Sequence, residues 1–155
     1  MQQVVFSGVF DPVTMGHLNL IERIAKIFPK VIIGVAKSSS KNPKWDLTQR
    51  TMLLKTAVEH LTNVEVIPFS GLLVDFLKAQ NVNIIIRGIR SVIDWSYEQE
   101  MAQINQKLMP QIETLFLPAE QLISSTYVRQ IWELGGDVSA LVPPKALTLL
   151  KSFKQ

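Results

Sequence analysis

Short apolar runs rich in β-branched residues alternate with stretches whose apolar residues recur three and four apart, and this alternation constrains the fold more than any other feature of the sequence. Strands are predicted at Gln3–Phe6, Lys30–Ala36, Val64–Phe69, Asn83–Arg87 and Thr114–Leu117. Between them, Ile21, Ile24, Ala25 and Phe28 share one helical face, as do Met52, Leu53, Thr56 and Ala57. Leu72, Leu73, Phe76 and Leu77 form another such face, and Tyr97, Met101, Ile104 and Leu108 a fourth. Further helices are predicted near Tyr127–Leu134 and Lys145–Phe153. The strand runs, "IIIR" among them, are continuously apolar rather than alternating, as a parallel sheet covered on both faces requires. The pattern predicts an α/β fold: a doubly wound, five-stranded parallel sheet with helices on both faces and right-handed crossovers.

With 155 residues, 47% hydrophobic and 19% charged, the chain is expected to form a single domain over residues 1–155. Its net charge of +3 suits anionic small molecules, and without a Lys/Arg run it gives no basis for nucleic-acid binding. The absence of cysteine excludes disulfides, thiolate metal sites and cysteine nucleophiles. The first residues lack the basic region and long apolar stretch of a signal peptide. The apolar runs fall far short of the roughly 18 residues that span a bilayer. A soluble, cytoplasmic protein without a membrane partner is expected.

In an open α/β sheet, ligands bind beyond the carboxyl ends of the strands, so the residues that follow each strand belong together. After the first comes "SGVFDPVTMGH". Gly8 permits close approach of a ligand to the backbone, Pro12 stiffens the loop, and Thr14-x-Gly16-His17 opens a helix. A helix start offers unpaired N–H groups and a positive dipole end, which attract phosphate. The same dipole disfavours imidazolium, so a neutral His17 is expected to donate to a phosphate oxygen. In "IIIRGIR", Arg87 ends a buried strand and Arg90 follows closely. An unpaired buried guanidinium is very costly, so either Asp94 or Glu98 neutralises these arginines or an anionic ligand does. Ser124, Ser125 and Thr126 precede a helix, where one hydroxyl serves as an N-cap and three in a row also suit phosphate. Lys41 lies in the polar loop Lys37–Trp45, a candidate mobile element, and is either a solvated lysine or a cation that folds over a bound phosphate. His60 is expected at the surface, and Trp45, Trp95 and Trp132 in packing roles. No metal site with His/Asp/Glu spacing and no Walker loop is visible.

"GVFDPVTMGH" resembles the T/H-x-G-H signature of the nucleotidyltransferase superfamily. With "SSSKNP", "IIIRGIRSVIDWSYEQEMAQIN", "LMPQIETLFL" and "ISSTYVRQI" in order along essentially the whole chain, the sequence is similar to the phosphopantetheine adenylyltransferase family. The resemblance implies a Rossmann-like nucleotidyltransferase fold. It implies reversible adenylyl transfer from ATP to 4′-phosphopantetheine, giving dephospho-coenzyme A and pyrophosphate in coenzyme A biosynthesis. By the same resemblance, His17, Lys41 and Arg90 are the catalytic residues. His17 steadies the α-phosphate, Lys41 and Arg87 bind the acceptor phosphate, and Arg90 with Ser124, Ser125 and Thr126 grips the β- and γ-phosphates. Val9, Phe10, Gly88, Ile89 and Glu98 fall in the nucleotide site, with Val9 and Leu73 also facing the acceptor. Magnesium is expected with ATP, held mainly by the triphosphate and not by a protein cage, and the family forms homohexamers. The nucleophile is already a phosphate anion, so catalysis reduces to alignment and charge neutralisation. The chain departs from the family pattern at Val9 (usually Thr or Ser), at Met15 (usually Asn), and in a shortened "PAEQL" stretch. Two other readings are a sister adenylyltransferase for nicotinate mononucleotide and a non-catalytic adenine-nucleotide-binding module.

Overall fold

The computed structural model describes residues 2–38, 42–119 and 123–153. Five strands, β1 (Gln3–Gly8), β2 (Lys30–Ala36), β3 (Val64–Phe69), β4 (Ile84–Ile89) and β5 (Glu113–Pro118), form one parallel sheet in the order β3-β2-β1-β4-β5. The chain winds outward from β1 to β3, then crosses back to place β4 on the other side of β1. The direction of winding therefore reverses between β1 and β4, where a doubly wound sheet leaves its crevice. The register opens that crevice. β1 pairs with β2 as far as Gly8↔Val35, but with β4 only at Val5↔Ile85 and Phe6↔Ile86.

Helices α1 (Met15–Ile27), α2 (Leu47–Ala57), α5 (Ser125–Glu133) and α6 (Pro144–Ser152) share one core cluster, in which Ile21, Leu54, Val128 and Leu150 pack with Val4, Phe6, Val31 and Ile33 of the sheet. On the opposite face, α3 (Leu73–Gln80) buries Val74, Phe76 and Leu77 against Val5, Ile32 and Ile85. Alternate residues of each central strand thus enter separate cores, which is why Val4–Phe6, Val31–Ile33 and Ile84–Ile86 are continuously apolar. The five predicted strands are all present. The first and fourth run on to Gly8 and Ile89, so both glycines flanking the crevice belong to strands.

Three predicted helix faces differ from the structure. On α3, Leu72 is the exposed N-cap residue, and Val74 is buried with Phe76 and Leu77. On α2 the buried residues are Arg50, Thr51, Leu53, Leu54 and Ala57, while Met52 is exposed. A buried arginine broke the apolar periodicity, so the sequence read the face slightly rotated. On α4 (Val92–Leu108), Tyr97, Ile104 and Leu108 are exposed and only Glu98 is buried. The apolar stripe is there, but it turns away from this chain's core. No helix among the described residues is long and apolar enough to cross a membrane.

Candidate active site at the carboxyl edge of the sheet

The crevice between β1 and β4 holds a cavity of about 190 Å³. Its walls include Gly8, Phe10, His17, Arg87, Gly88, Arg90 and Glu98. A wider cleft of about 610 Å³ shares His17, Arg87 and Arg90 and adds Val9, Leu73, Ser124, Ser125 and Thr126. The carboxyl edge therefore gathers most of the residues that the sequence singled out. Ile89 is the exception: it lines neither space, and its carbonyl accepts from the Ala119 N–H at 2.9 Å. Lys41 lies outside the described residues, although its neighbours Asn42 and Pro43 line the cleft.

His17 occupies the first turn of α1 in a reciprocal cap. Its backbone N–H donates to Thr14 Oγ1 at 3.2 Å, and the Thr14 N–H donates to His17 Nδ1 at 3.0 Å. A backbone N–H can only donate, so Nδ1 accepts and the ring proton sits on Nε2. The Phe10 ring packs edge-on against the imidazole, with centroids 4.9 Å apart. Burial first, and the Arg90 charge second, lower the His17 pKa from 6.5 to about 4. The ring is neutral, as expected, but burial and Arg90 dominate where the sequence suggested the helix dipole. Two first-turn N–H groups of α1 are already used, since Met15 donates to the Leu141 carbonyl at 2.7 Å.

Arg87 meets Glu98 through a fork, Nε to Oε2 at 2.8 Å and Nη2 to Oε1 at 2.7 Å, and donates through Nη1 to the Ser7 carbonyl at 2.7 Å. Of the two alternatives posed for this strand-end cation, the carboxylate supplies its main partner. Glu98 consequently reaches the site as the group that fixes Arg87. Arg90 is held less firmly. Its N–H donates to Asp94 Oδ2 at 3.0 Å, Nε lies 3.7 Å from the same oxygen, and Nη1 donates to the Ile123 carbonyl at 3.3 Å. That looser setting leaves guanidinium donors for a second anion.

The three hydroxyls divide their work. Ser124 caps α5 by accepting from the Tyr127 N–H at 3.3 Å, and Ser125 Oγ donates to the Pro12 carbonyl at 2.9 Å. Thr126 Oγ1 accepts from Arg129 Nη2 at 3.3 Å.

Sequence reasoning passed over three supporting residues. Asp11 accepts from the Lys44 and Trp45 N–H groups at 2.9 and 3.1 Å. Arg129 donates to the Asp11 carbonyl at 2.7 Å. Arg50 is buried behind the site, and its helix gave no periodic signal for it. A third space, a slot of about 120 Å³, runs on from Arg87 between Leu73, Tyr97, Met101, Ala102, Asn105 and Thr114. Asn105 and Thr114 carried no sequence signal either.

A crevice lined by His17, Arg87 and Arg90 at the switch point of a doubly wound sheet lies where a Rossmann-like fold places its ligand. Residues 5–131 match the cytidylyltransferase-like family, and the chain belongs to that family. Its fold is similar to that of a bifunctional NMN adenylyltransferase/ADP ribose pyrophosphatase from Francisella tularensis, with a TM-score of 0.74 and 16% identity. That match covers 97% of this chain and 49% of the other, so the chain spans about half the length of this relative. It is also similar to a chain from Vibrio parahaemolyticus assigned as a nicotinate-nucleotide adenylyltransferase. There the TM-score is 0.74 and the identity 18%, over 97% of this chain and 93% of that one.

Proposed function

We propose that the chain transfers an adenylyl group from ATP to 4′-phosphopantetheine. A phosphate oxygen of the acceptor attacks the α-phosphorus, a new P–O bond forms, the bond to the bridging α–β oxygen breaks, and pyrophosphate leaves. The reaction is reversible and needs no general base. His17 Nε2–H donates to an α-phosphate oxygen and steadies the charge that builds there. Arg90 and the start of α5 hold the β- and γ-phosphates. Arg87, fixed by Glu98, and Lys41 receive the acceptor phosphate, beside the Val9 backbone. Gly88 leaves room for the nucleoside, where a Cβ would come within 2.8 Å of Leu20 Cδ2. Magnesium would arrive on the triphosphate and neutralise its charge. Among the described residues no three His, Cys, Asp or Glu side chains cluster as a cage, and the nearby Asp94 and Glu98 already engage arginines. We place the reaction in the cytoplasm and in a homo-oligomer, a hexamer by family resemblance.

The observation that carries the choice of acceptor is the slot beside Arg87. Apolar walls from Leu73, Tyr97 and Met101 meet the amide of Asn105 and the hydroxyl of Thr114, which is buried without a partner. That mixture suits a linear, amide-bearing arm whose phosphate rests at Arg87. A second reading, transfer to nicotinate or nicotinamide mononucleotide, draws on what the two similar structures are said to act on.

Incubation with magnesium and ATP plus each acceptor, followed by pyrophosphate release, tests the proposal. Release with phosphopantetheine alone supports it. Release with a pyridine mononucleotide alone replaces it with the second reading. ATP binding without turnover on any acceptor makes the chain a non-catalytic nucleotide module.

A further inference from the structure

Arg50 is 1% exposed, yet no carboxylate forms an ion pair with it among the described residues. Its guanidinium instead collects three backbone carbonyls. Nε donates to the Trp45 oxygen at 2.9 Å, and Nη1 donates to the Val9 oxygen at 2.7 Å and the Ala36 oxygen at 2.9 Å. These oxygens belong to the loop after β1, the end of β2 and the residue before the α2 cap. Asp11 and Asp46 lie near enough to favour the cation, against the burial that disfavours it.

The Val9–Phe10 peptide is trans, since the cis bond recorded is Asp11–Pro12. In a planar trans peptide the carbonyl and the following N–H point in opposite directions. Drawing the Val9 oxygen back to Arg50 therefore turns the Phe10 N–H forward. No described residue accepts from that N–H, and Phe10 lines both the cavity and the cleft. Phe10 also holds φ at 52°, a conformation that side-chain-bearing residues rarely adopt and that persists only when surroundings enforce it. Arg50 enforces it from behind, and the ring contacts with Phe6 and His17 enforce it from the other side.

We infer that Arg50 is a positioning residue: by gripping the Val9 carbonyl it aims the Phe10 N–H at a phosphate oxygen in the crevice. This role rests on the anion-binding part of the proposed function and not on the identity of the acceptor. It matters more here than in a chain with Thr or Ser at position 9, because Val9 offers the anion no hydroxyl.

The test is a titration of the ¹⁵N-labelled full chain with inorganic pyrophosphate, read at the Phe10 amide. In the native protein that resonance should move downfield on binding. In Arg50→Gln the Phe10 response should vanish and pyrophosphate affinity should fall about tenfold, the scale of one lost charge-assisted bond. Arg50→Lys, which keeps the charge but not the fork, should lose most of the same response. A native Phe10 amide that stays still while Arg90 and Ser125 respond overturns the role without any variant. So does a folded Arg50→Gln or Arg50→Lys with native response and affinity, because Arg50 would then be structural only. A Phe10 response that persists in the native protein while no acceptor is turned over removes the adenylyl-transfer reading and leaves the positioning role standing.

Discussion

His17 is the residue on which charge bookkeeping and chemistry meet. Its Nδ1 is occupied by the Thr14 N–H, so the only proton it can present to a phosphate is on Nε2. A donor aimed at developing charge in a dry site is worth about two to three decades in rate. His17→Ala should therefore lower turnover by about 10²–10³ while changing ATP affinity by less than threefold. Parallel kinetics and calorimetry check this, and equal losses in both would remove the transition-state role. The lowered pKa also has a stability consequence. The folded value is about 4 and the unfolded value 6.5, so the unfolded chain binds the proton first as the solution is acidified. Stability from this group is complete above 6.5 and is lost as pH falls from 6.5 to about 4. At 1.36 kcal/mol per unit the difference amounts to about 3 kcal/mol as an upper bound, since the ring is only half-buried. Urea unfolding at pH 7 and pH 4 should show a smaller acid loss for His17→Gln than for the native chain. The place of His17 was legible in "TMGH" because the motif fixes it at a helix start. The cause of its neutrality was not, because burial and the approach of Arg90 are products of the tertiary fold.

At the scale of elements, β4 and its flanks show what a sequence pattern reveals and what it hides. Continuous apolar runs identify buried parallel strands because both faces are covered, and all five were readable on that ground. The crevice was readable too, as a consequence of winding. The choice of Glu98 as the partner of Arg87 was left open, because Asp94 stands one turn earlier on the same helix. Register decides between them: Asp94 sits under Arg90, and Glu98 reaches Arg87. Gly88 illustrates the element-level constraint. A Cβ there would lie 2.8 Å from Leu20 Cδ2 on α1 and 3.2 Å from Ala119 Cβ beyond β5. The Leu20 side chain would have to swing aside, and Ala119 give by a few tenths of an ångström, to admit it. Gly88→Ala should destabilise the fold by about 1–3 kcal/mol, the usual cost of overpacking. It should also weaken ATP binding. Chemical denaturation measures the first and calorimetry the second. A variant with native stability would show that the contact relaxes freely.

At the scale of the whole molecule, the stripe on α4 is an apolar surface left uncovered by this chain. Val92 and Ile93 are 84% and 83% exposed, and Tyr97, Ile104 and Leu108 continue the surface along one side of the helix. Trp95, two residues after Ile93 and so on the other side of α4, is partly exposed and packs edge-on against Phe116 of β5. The periodicity that suggested a core face is present on α4, but within the single chain it is exposed. A second copy would cover it in the homo-oligomer proposed above, and contiguous apolar patches of this kind mark interaction surfaces in general. The stripe borders the acceptor slot, since Tyr97 and Met101 lie on the same helix and line it. Association would thus brace one wall of the slot and leave the crevice for ATP alone. Ile93→Lys combined with Leu108→Lys avoids every slot residue and sets two charges in the interface, where an unpaired buried charge costs about 3–5 kcal/mol. Sedimentation should give the native chain a mass several times that of one copy and the double variant the mass of one. The variant should bind ATP with near-native affinity but require about tenfold more acceptor, as a slot with one unsupported wall holds its arm less firmly. A native chain that sediments as a single copy would remove both the association and the bracing of the slot.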